Sequence, residues 1–265
     1  MAKEITMKSD TALAPIPMDL DQMVRDAELG GVIGLSDISI PYLYVLQSNS
    51  PQCNPDHPKH ISGATAGMLY LTQFEEVFEG REGGLTIIPC YYERLITEWL
   101  PRETGGGLVT SHPASSDIME KAMVNDKKQA ILPNGHQLID TAYLYNLVHI
   151  TKTNTWVQSI MPIKSTGLKA VRKMNSTIAT TKIPNTDKQA PRFLFKWAVT
   201  TKREAKDQYV WSSIAFQQEG MVTNEQYNSA RTFAMIAAKG IMRQAVVQKE
   251  ATVKTSIVDD DSVPF

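Results

Sequence analysis

The sequence predicts a mainly β protein with added helices, an α+β fold whose centre is a small Greek-key β-barrel. The main observation is the segment 84–100, which carries nine large apolar or aromatic side chains without helical spacing. Because this run is long for one strand, we expect it to bend near Pro89. Long, bent strands that serve two parts of a sheet are what a small closed barrel requires.

Further β segments share runs of apolar and aromatic residues bounded by turn residues, and they are residues 38–47, 67–78, 143–152, 156–161, 192–201 and 208–217. Pro41 places the first of them at a sheet edge. Thr153-Asn154-Thr155 indicates a hairpin turn, and the polar stretch 202–207 is expected to join the last two strands.

Two segments have the apolar spacing of helices. Residues 165–180 leave Lys169, Arg172 and Lys173 on a wetter side, and Ser165 or Thr166 is expected to cap this helix.

The second helix is long and amphipathic, spans residues 224–250 and has Thr223 or Asn224 as its cap. We expect it to cover the barrel or to pair with another subunit. Residues 117–124 are expected to form a short helix. Gly105-Gly106-Gly107 predicts a turn, and a phosphate-binding P-loop is excluded there because no Lys-Ser or Lys-Thr follows at the required spacing.

The predicted organisation has four parts: an N-terminal arm with a short helix (1–37), a domain built on the small β-barrel (38–217), a C-terminal helix (218–252) and a disordered acidic tail (253–265). No apolar run reaches the ~18 residues that span a bilayer, and the N-terminus has no signal-peptide core. Two cysteines among 265 residues are too few for a disulfide framework and fit a reducing cytoplasm.

Positive charge is concentrated in one region, although the formal net charge of the chain is only −1. Residues 164–206 carry eleven Lys and Arg against two acids, a net charge of +9. Such a field attracts polyanions, whereas the alternative is an ordinary solvated face. Aromatic residues occur in the same region. Phe193, Phe195 and Trp197 alternate with Arg192 and Lys196, and we favour a core role for these aromatics with the two cations pointing outward.

The last seven residues combine three aspartates with Ser262-Val263-Pro264-Phe265. This composition suggests a docking peptide, in which Phe265 enters an apolar pocket and the carboxylates approach a basic rim. The alternative is a solubilising acidic tail.

Neither a metal site nor an enzyme has support in the sequence. Cys53, His57 and His60 lack a second pair of zinc ligands, and no nucleophile motif or paired acidic motif is present. We therefore expect no cofactor and no catalytic residues.

Two parts of the sequence resemble known proteins. The end, Asp259-Asp260-Asp261-Ser262-Val263-Pro264-Phe265, resembles the acidic tip of bacterial single-stranded-DNA-binding proteins, which ends Asp-Asp-Asp-Ile-Pro-Phe. In that family the tip recruits replication, repair and recombination proteins and competes with nucleic acid. The resemblance therefore assigns partner binding to Asp259, Asp260, Asp261, Pro264 and Phe265.

The body of the chain resembles single-stranded-DNA-binding proteins of tailed bacteriophages. The likeness rests on Ile40-Pro41-Tyr42-Leu43-Tyr44-Val45-Leu46-Gln47, Trp99-Leu100-Pro101-Arg102, Gly105-Gly106-Gly107-Leu108-Val109 and Leu168-Lys169-Ala170-Val171-Arg172. It implies an OB-fold variant with added helices that coats replication intermediates. In some phages a relative assists transcription by an RNA polymerase.

The sequence thus predicts a non-enzymatic, sequence-tolerant protein that binds single-stranded DNA in the host cytoplasm and recruits proteins through its tail. The alternative is a transcription accessory protein that recruits or activates a phage RNA polymerase. Phosphate contacts are assigned to Arg94, Arg102, Lys152, Lys164, Lys169, Arg172, Lys173 and Lys196. Base stacking is assigned to Tyr92, Trp99, Tyr143 and Trp156.

Overall fold

The computed structural model describes residues 40–239, so the predicted N-terminal arm and acidic tail lie outside it. The described chain is mainly β with two α-helices, which confirms the α+β class. The helices are α1 (Gly167–Thr180) and α2 (Asn224–Ala238). The strands are β1 (Leu43–Val45), β2 (Leu69–Leu71), β3 (Glu76–Phe78), β4 (Leu85–Leu100), β5 (Gly107–Pro113), β6 (Met123–Val124), β7 (Ala130–Ile131), β8 (Gln137–Ile150), β9 (Thr155–Lys164), β10 (Phe195–Lys206) and β11 (Tyr209–Met221).

Two antiparallel sheets hold these strands. The small sheet has the order β1-β2-β3, and the large sheet has the order β11-β10-β4-β8-β7-β6, with β5 paired to β4 and β9 paired to β8. A Greek-key barrel requires a sheet that closes on itself. The pairings within residues 40–239 instead leave β11 and β6 at the two ends of an open order.

Strand β4 is the centre of the large sheet. It has 16 residues and pairs with β10 near its start, with β8 along most of its length and with β5 near its end. A register shift occurs between Pro89 and Tyr91. Proline has no N–H to donate to a neighbouring strand, and this shift confirms the predicted irregularity at Pro89.

Local turn chemistry agrees with the sequence at one of two hairpins. Asn154, with φ 52°, ends the turn between β8 and β9, as the Thr-Asn-Thr stretch predicted. The β10–β11 turn is tighter than expected, because β10 continues to Lys206 and Asp207 adopts φ 54°. The expectation that residues 202–207 form the connection was therefore wrong.

Two predicted helices differ in detail. Thr166 precedes α1 but makes no side-chain capping bond, and Ser165 has φ 50°. The helix begins at Gly167, where a Cβ atom would lie 2.6 Å from Ile163 Cγ2, so glycine permits close packing on β9. The predicted helix at 117–124 is a 3-10 turn over Asp117–Lys121 followed by β6.

Helix α2 begins with the predicted cap. Thr223 Oγ1 accepts a hydrogen bond from the Gln226 backbone N–H, and the Gln226 side chain accepts one from the Thr223 N–H, which completes a capping box. The described part of this helix ends at Ala238, and the remainder of the predicted helix lies outside the described residues. Neither described helix is long and apolar enough to cross a membrane.

The two helices cover different hydrophobic clusters. Leu168, Val171, Met174 and Ile178 of α1 join the cluster that includes Trp197 and the even-numbered residues 142 and 144 of β8. Ala230, Phe233 and Ala237 of α2 join the cluster that includes Tyr143 and Tyr145. Because alternate strand residues point to opposite faces, β8 is buried on both sides.

The aromatic stretch after Pro191 is only partly a strand. Phe195 and Trp197 pack in the cluster under α1, which confirms their core role. Phe193 lies in the 3-10 turn Arg192–Leu194 and packs in the cluster under α2 instead. This turn also breaks the predicted alternation, so Arg192 does not share an outward face with Lys196.

Candidate nucleic-acid interface

Helix α1 carries a basic outer face. Lys169, Arg172 and Lys173 are all exposed, as the helical spacing predicted. The helix contains no acidic residue. None of the three cations forms an ion pair within the described part of the chain. The face is therefore a local concentration of positive charge that attracts phosphate groups.

Arg192 connects this face to the large sheet. Its Nη2 donates a 2.8 Å hydrogen bond to Asn175 Oδ1 on α1, and its guanidinium carbon lies 5.2 Å from the centroid of the Tyr92 ring on β4. Asn175 follows Arg172 by three residues, so both lie on one side of the helix. We call Arg172, Asn175, Arg192 and Tyr92 the arginine strip.

The environment of Arg192 differs from that of a surface arginine. Desolvation lowers its pKa, and the neighbouring Tyr92 side chain offsets only part of this effect. Its Nη1 atom is buried and has no hydrogen-bond partner among the described residues. Since its two side-chain neighbours, Asn175 and Tyr92, are uncharged at neutral pH, the cation retains an attraction for anions that burial strengthens.

Arg94 does not belong with the uncompensated cations. Its Nε donates a 2.8 Å hydrogen bond to Asp140 Oδ1, and its Nη2 donates to Asp140 Oδ2. The hydrogen bond to Asp140 is the main reason that the pKa of Arg94 is raised. Asp140 thus balances the charge that the sequence assigned to a phosphate contact, and the predicted free cation at Arg94 is absent from the described structure.

Trp99 and Lys164 meet on the opposite face of the sheet from Tyr92. Lys164 Nζ lies 5.0 Å from the centroid of the Trp99 ring, a cation–π contact. They meet because β4 and β9 both pair with β8, and Trp99 Nε1 donates a 2.8 Å hydrogen bond to Thr97 Oγ1. Both side chains are half-buried, so this pair joins an aromatic surface to an ammonium group.

Two other predicted residues lie near the β8–β9 hairpin. Trp156 stacks on His149, with ring centroids 4.8 Å apart and planes inclined by 28°. Lys152 is exposed in the turn. The described contacts do not join these residues to the arginine strip or to Trp99.

The remaining predictions have different outcomes. Tyr143 is only 1% exposed and packs in the core, so its predicted role in base stacking was wrong. Lys196 is half-buried on β10. The side chain of Arg102 lies outside the description, as do Asp259, Asp260, Asp261, Pro264 and Phe265.

Sequence reasoning missed a charged cluster near the end of β4. His112 Nε2 donates to Glu98 Oε2 at 2.8 Å, and His136 Nδ1 donates to Glu98 Oε1 at 2.5 Å. Burial raises the pKa of Glu98, but hydrogen bonds from His136 and His112 outweigh that effect and leave the pKa below its ordinary value. Within residues 40–239, no group of three His, Cys, Asp or Glu side chains is arranged to hold a metal ion.

Comparison with known proteins gives one match. A family model described as Pam3 phage gp34-like protein matches residues 9–243. No curated protein matches the sequence, and no solved structure matches the fold.

Proposed function

We propose that this chain, which belongs to the Pam3 phage gp34-like protein family, is a non-enzymatic, sequence-tolerant single-stranded-DNA-binding protein. Its proposed role is to coat and protect phage replication or recombination intermediates in the host cytoplasm. The observation that carries the proposal is the basic face of α1, a helix that contains no acidic residue. Arg192 is hydrogen-bonded to this helix and contacts the aromatic ring of Tyr92 on the sheet.

In the proposed binding mode, Lys169, Arg172 and Lys173 follow successive phosphates along the outer face of α1. Phosphate contacts of this kind carry little sequence information, which accounts for sequence tolerance. An OB-fold binds oligonucleotides on a strand face and the loops beside it. In the proposed mode a sheet also supplies an aromatic ring, but a helix next to the sheet supplies the phosphate contacts, and no closed barrel is required.

Aromatic side chains favour a single strand over a duplex. Stacking on an exposed ring stabilises binding by ~1–3 kcal/mol per base and requires unpaired bases. Tyr92 and Trp99 are half-buried rings in contact with the cations Arg192 and Lys164 respectively. Because Trp99 lies on the opposite face of the sheet, we assign stacking beside α1 to Tyr92, and Trp99 remains a second candidate on the other face.

The tail completes the proposal. Asp259–Phe265 would recruit replication or recombination proteins, with Phe265 as the apolar anchor and the aspartates directed to a basic rim. Removing Phe265 alone is expected to abolish partner capture while DNA affinity changes little, because the acidic charge is retained. Pull-down of the partner and DNA titration measure the two effects separately.

The test of DNA binding is a titration with oligo-dT and with duplex of equal length, followed by tryptophan fluorescence. The wild-type protein is expected to bind oligo-dT much more tightly, with affinity that falls steeply with salt. The triple variant K169A/R172A/K173A should flatten the salt dependence by about 0.7 per lost phosphate contact. Its fold should survive, because all three residues are exposed.

A matched control removes the same three residue types elsewhere. Lys202, Arg203 and Lys206 are exposed near the end of β10, and K202A/R203A/K206A changes the net charge equally. An equal loss of affinity in both triple variants would show that only net charge matters and would refute the assignment to α1. Equal wild-type affinity for duplex and single strand would refute the proposed function.

A further inference from the structure

The junction between β9 and α1 joins the two faces of the large sheet. Lys164 is the last residue of β9, and α1 begins at Gly167. The neighbour of Lys164 in β9, Ile163, packs in the cluster under α1. Because alternate strand residues point to opposite faces, Lys164 lies on the face away from α1. Lys169 is exposed on the outer side of the helix, so a short stretch of chain links cations on two different surfaces.

The structure holds this junction in place. A Cβ atom at Gly167 would lie 2.6 Å from Ile163 Cγ2 and 3.7 Å from Ile214 Cγ2. Since the start of α1 packs this closely on β9 and β11, the direction in which the helix leaves the sheet is fixed. Ser165 and Thr166 are exposed in the turn, and the Thr166 side chain makes no capping hydrogen bond. Exposed hydroxyl groups therefore lie between the cations of the two surfaces.

Positive charge continues across the junction. The sequence contains no acidic residue between Asp140 and Asp187, a stretch that includes all of β9 and α1. Lys164 forms no ion pair with the described residues, and its Nζ lies 5.0 Å from the centroid of the Trp99 ring. An aromatic ring attracts a cation without neutralising it. The ammonium group therefore keeps its charge for a phosphate, as the cations of α1 do.

Trp99 presents an oriented ring beside this charge. Its Nε1 donates a 2.8 Å hydrogen bond to Thr97 Oγ1, which satisfies the polar edge of the indole and fixes the plane of the ring. Leu95, on the same side of β4, packs in the cluster under α2, whereas Trp99 is not part of that cluster. Trp99 is half-buried, so part of the ring remains accessible among the described residues.

We propose that a single strand of DNA crosses at this junction from the outer side of α1 to the opposite face of the sheet, where Trp99 stacks on one of its bases. The inference rests on the proposed single-strand binding and deepens it. The base takes the position that Lys164 Nζ has over the indole, and the ammonium group moves to a phosphate of the same strand. Lys169 contacts a phosphate on the other side of the junction.

This path defines a class of substrate. A strand must be long enough to reach both surfaces and flexible enough to bend between them. Duplex DNA has a persistence length of about 150 bp, so it cannot follow a path that turns within a few residues of chain. The preferred ligand is therefore a flexible single strand above a threshold length, and Trp99 is the residue that detects the added length.

The first test measures the affinity for end-labelled oligo-dT by fluorescence anisotropy. Oligomers of ~4 to ~16 nucleotides cover the site sizes of known single-strand binders. W99A should change the affinity for the shortest oligomer by less than about twofold, because the three cations of α1 hold it alone. The same variant should weaken binding of the longest oligomer by about tenfold, the effect of one lost stacked base.

The second test removes bases instead of the protein ring. An oligo-dT with abasic nucleotides at one end keeps all of its phosphates. Since the contacts of α1 are with phosphates and the contact of Trp99 is with a base, abasic sites at one of the two ends should weaken binding to the wild type by about tenfold. W99A should not respond to them. The end that responds also gives the polarity of the strand on the protein.

W211A is the matched control, because Trp211 is also half-buried but lies on β11 and is not joined to the junction. This variant should keep the wild-type dependence on length. K164Q alters a side chain at the end of a strand, so it should weaken binding of the longest oligomer even if W99A folds poorly.

Three outcomes would refute the path: W99A and K164Q bind every length as the wild type does, W99A weakens the shortest oligomer as much as the longest, or W211A reproduces the effect of W99A. The proposed function is tested separately by the shortest oligomer. If K169A/R172A/K173A binds it as the wild type does, the assignment to α1 fails whatever W99A shows.

Discussion

Two charged groups on or beside the long strand β4 have opposite environments. Near its end, the buried carboxylate of Glu98 accepts hydrogen bonds from His112 and His136. Near its middle, Arg192 lies over the Tyr92 ring and meets only the neutral Asn175, with one guanidinium nitrogen left unpaired among the described residues. One charge is compensated from two sides, and the other is held in place without compensation.

This difference separates structural charges from charges available to a ligand. A buried charge that is fully hydrogen-bonded links the elements around it, and β4, β5 and the turn before β8 all contribute to the Glu98 cluster. A buried cation with neutral neighbours loses hydration without recovering an equal attraction. A protein keeps such a group at a cost in stability.

The largest expected effect on stability comes from removing the two histidines that donate hydrogen bonds to Glu98. The double variant H112A/H136A should lower the free energy of unfolding by about 3 kcal/mol at pH 7, because it leaves a buried carboxylate without partners. Urea denaturation measures the change.

The control for this prediction adds E98Q to the double variant. Since the uncompensated charge is then removed as well, most of the lost stability should return. No recovery in this triple variant would mean that lost packing, rather than charge, explains the effect.

A smaller effect on the free energy of unfolding is expected when the pH is lowered. The folded-state pKa of Glu98 lies below its ordinary value of 4.5, so its contribution to stability is present above that value. This contribution is lost as the pH falls through the lower, folded-state pKa. In H112A/H136A only burial remains, which raises the pKa, so protonation at acidic pH stabilises the variant relative to its unfolded state. The stability gap between the two proteins should narrow from pH 6 to pH 3, and a constant gap would contradict this account.

The sequence predicted those features that depend on neighbours along the chain. The irregularity at Pro89, the turn at Asn154 and the cap at Thr223 are local, and residue type determines them. The basic face of α1 also follows from helical periodicity. The order of the strands in the sheet does not, because it depends on pairings between distant segments.

The same limit applies to the candidate nucleic-acid interface: positions within one element could be predicted, but contacts between distant segments could not. Lys169, Arg172 and Lys173 could be placed on one helix, whereas the meeting of Trp99 with Lys164 depends on strands that pair through β8. Tyr143 was misassigned although a signal was present. Six of the eight residues 141–148 are apolar or aromatic, a pattern typical of a strand buried on both faces.

The smallest expected effect tests whether the burial of a charged group, or its lack of a compensating partner, determines how its removal changes the free energy of unfolding. R192M keeps the length of the side chain but removes a buried, uncompensated charge, so the lost hydration cost should offset the lost hydrogen bond to Asn175. R94M removes an arginine whose side chain is 41% exposed and which is paired with Asp140, a change of about 0.5–1 kcal/mol. We expect R192M in phosphate-free buffer to change the free energy of unfolding by no more than R94M does, as measured by urea denaturation. If burial alone determined the cost, R192M would be several-fold more destabilising, and that result would remove the distinction between the two charges beside β4.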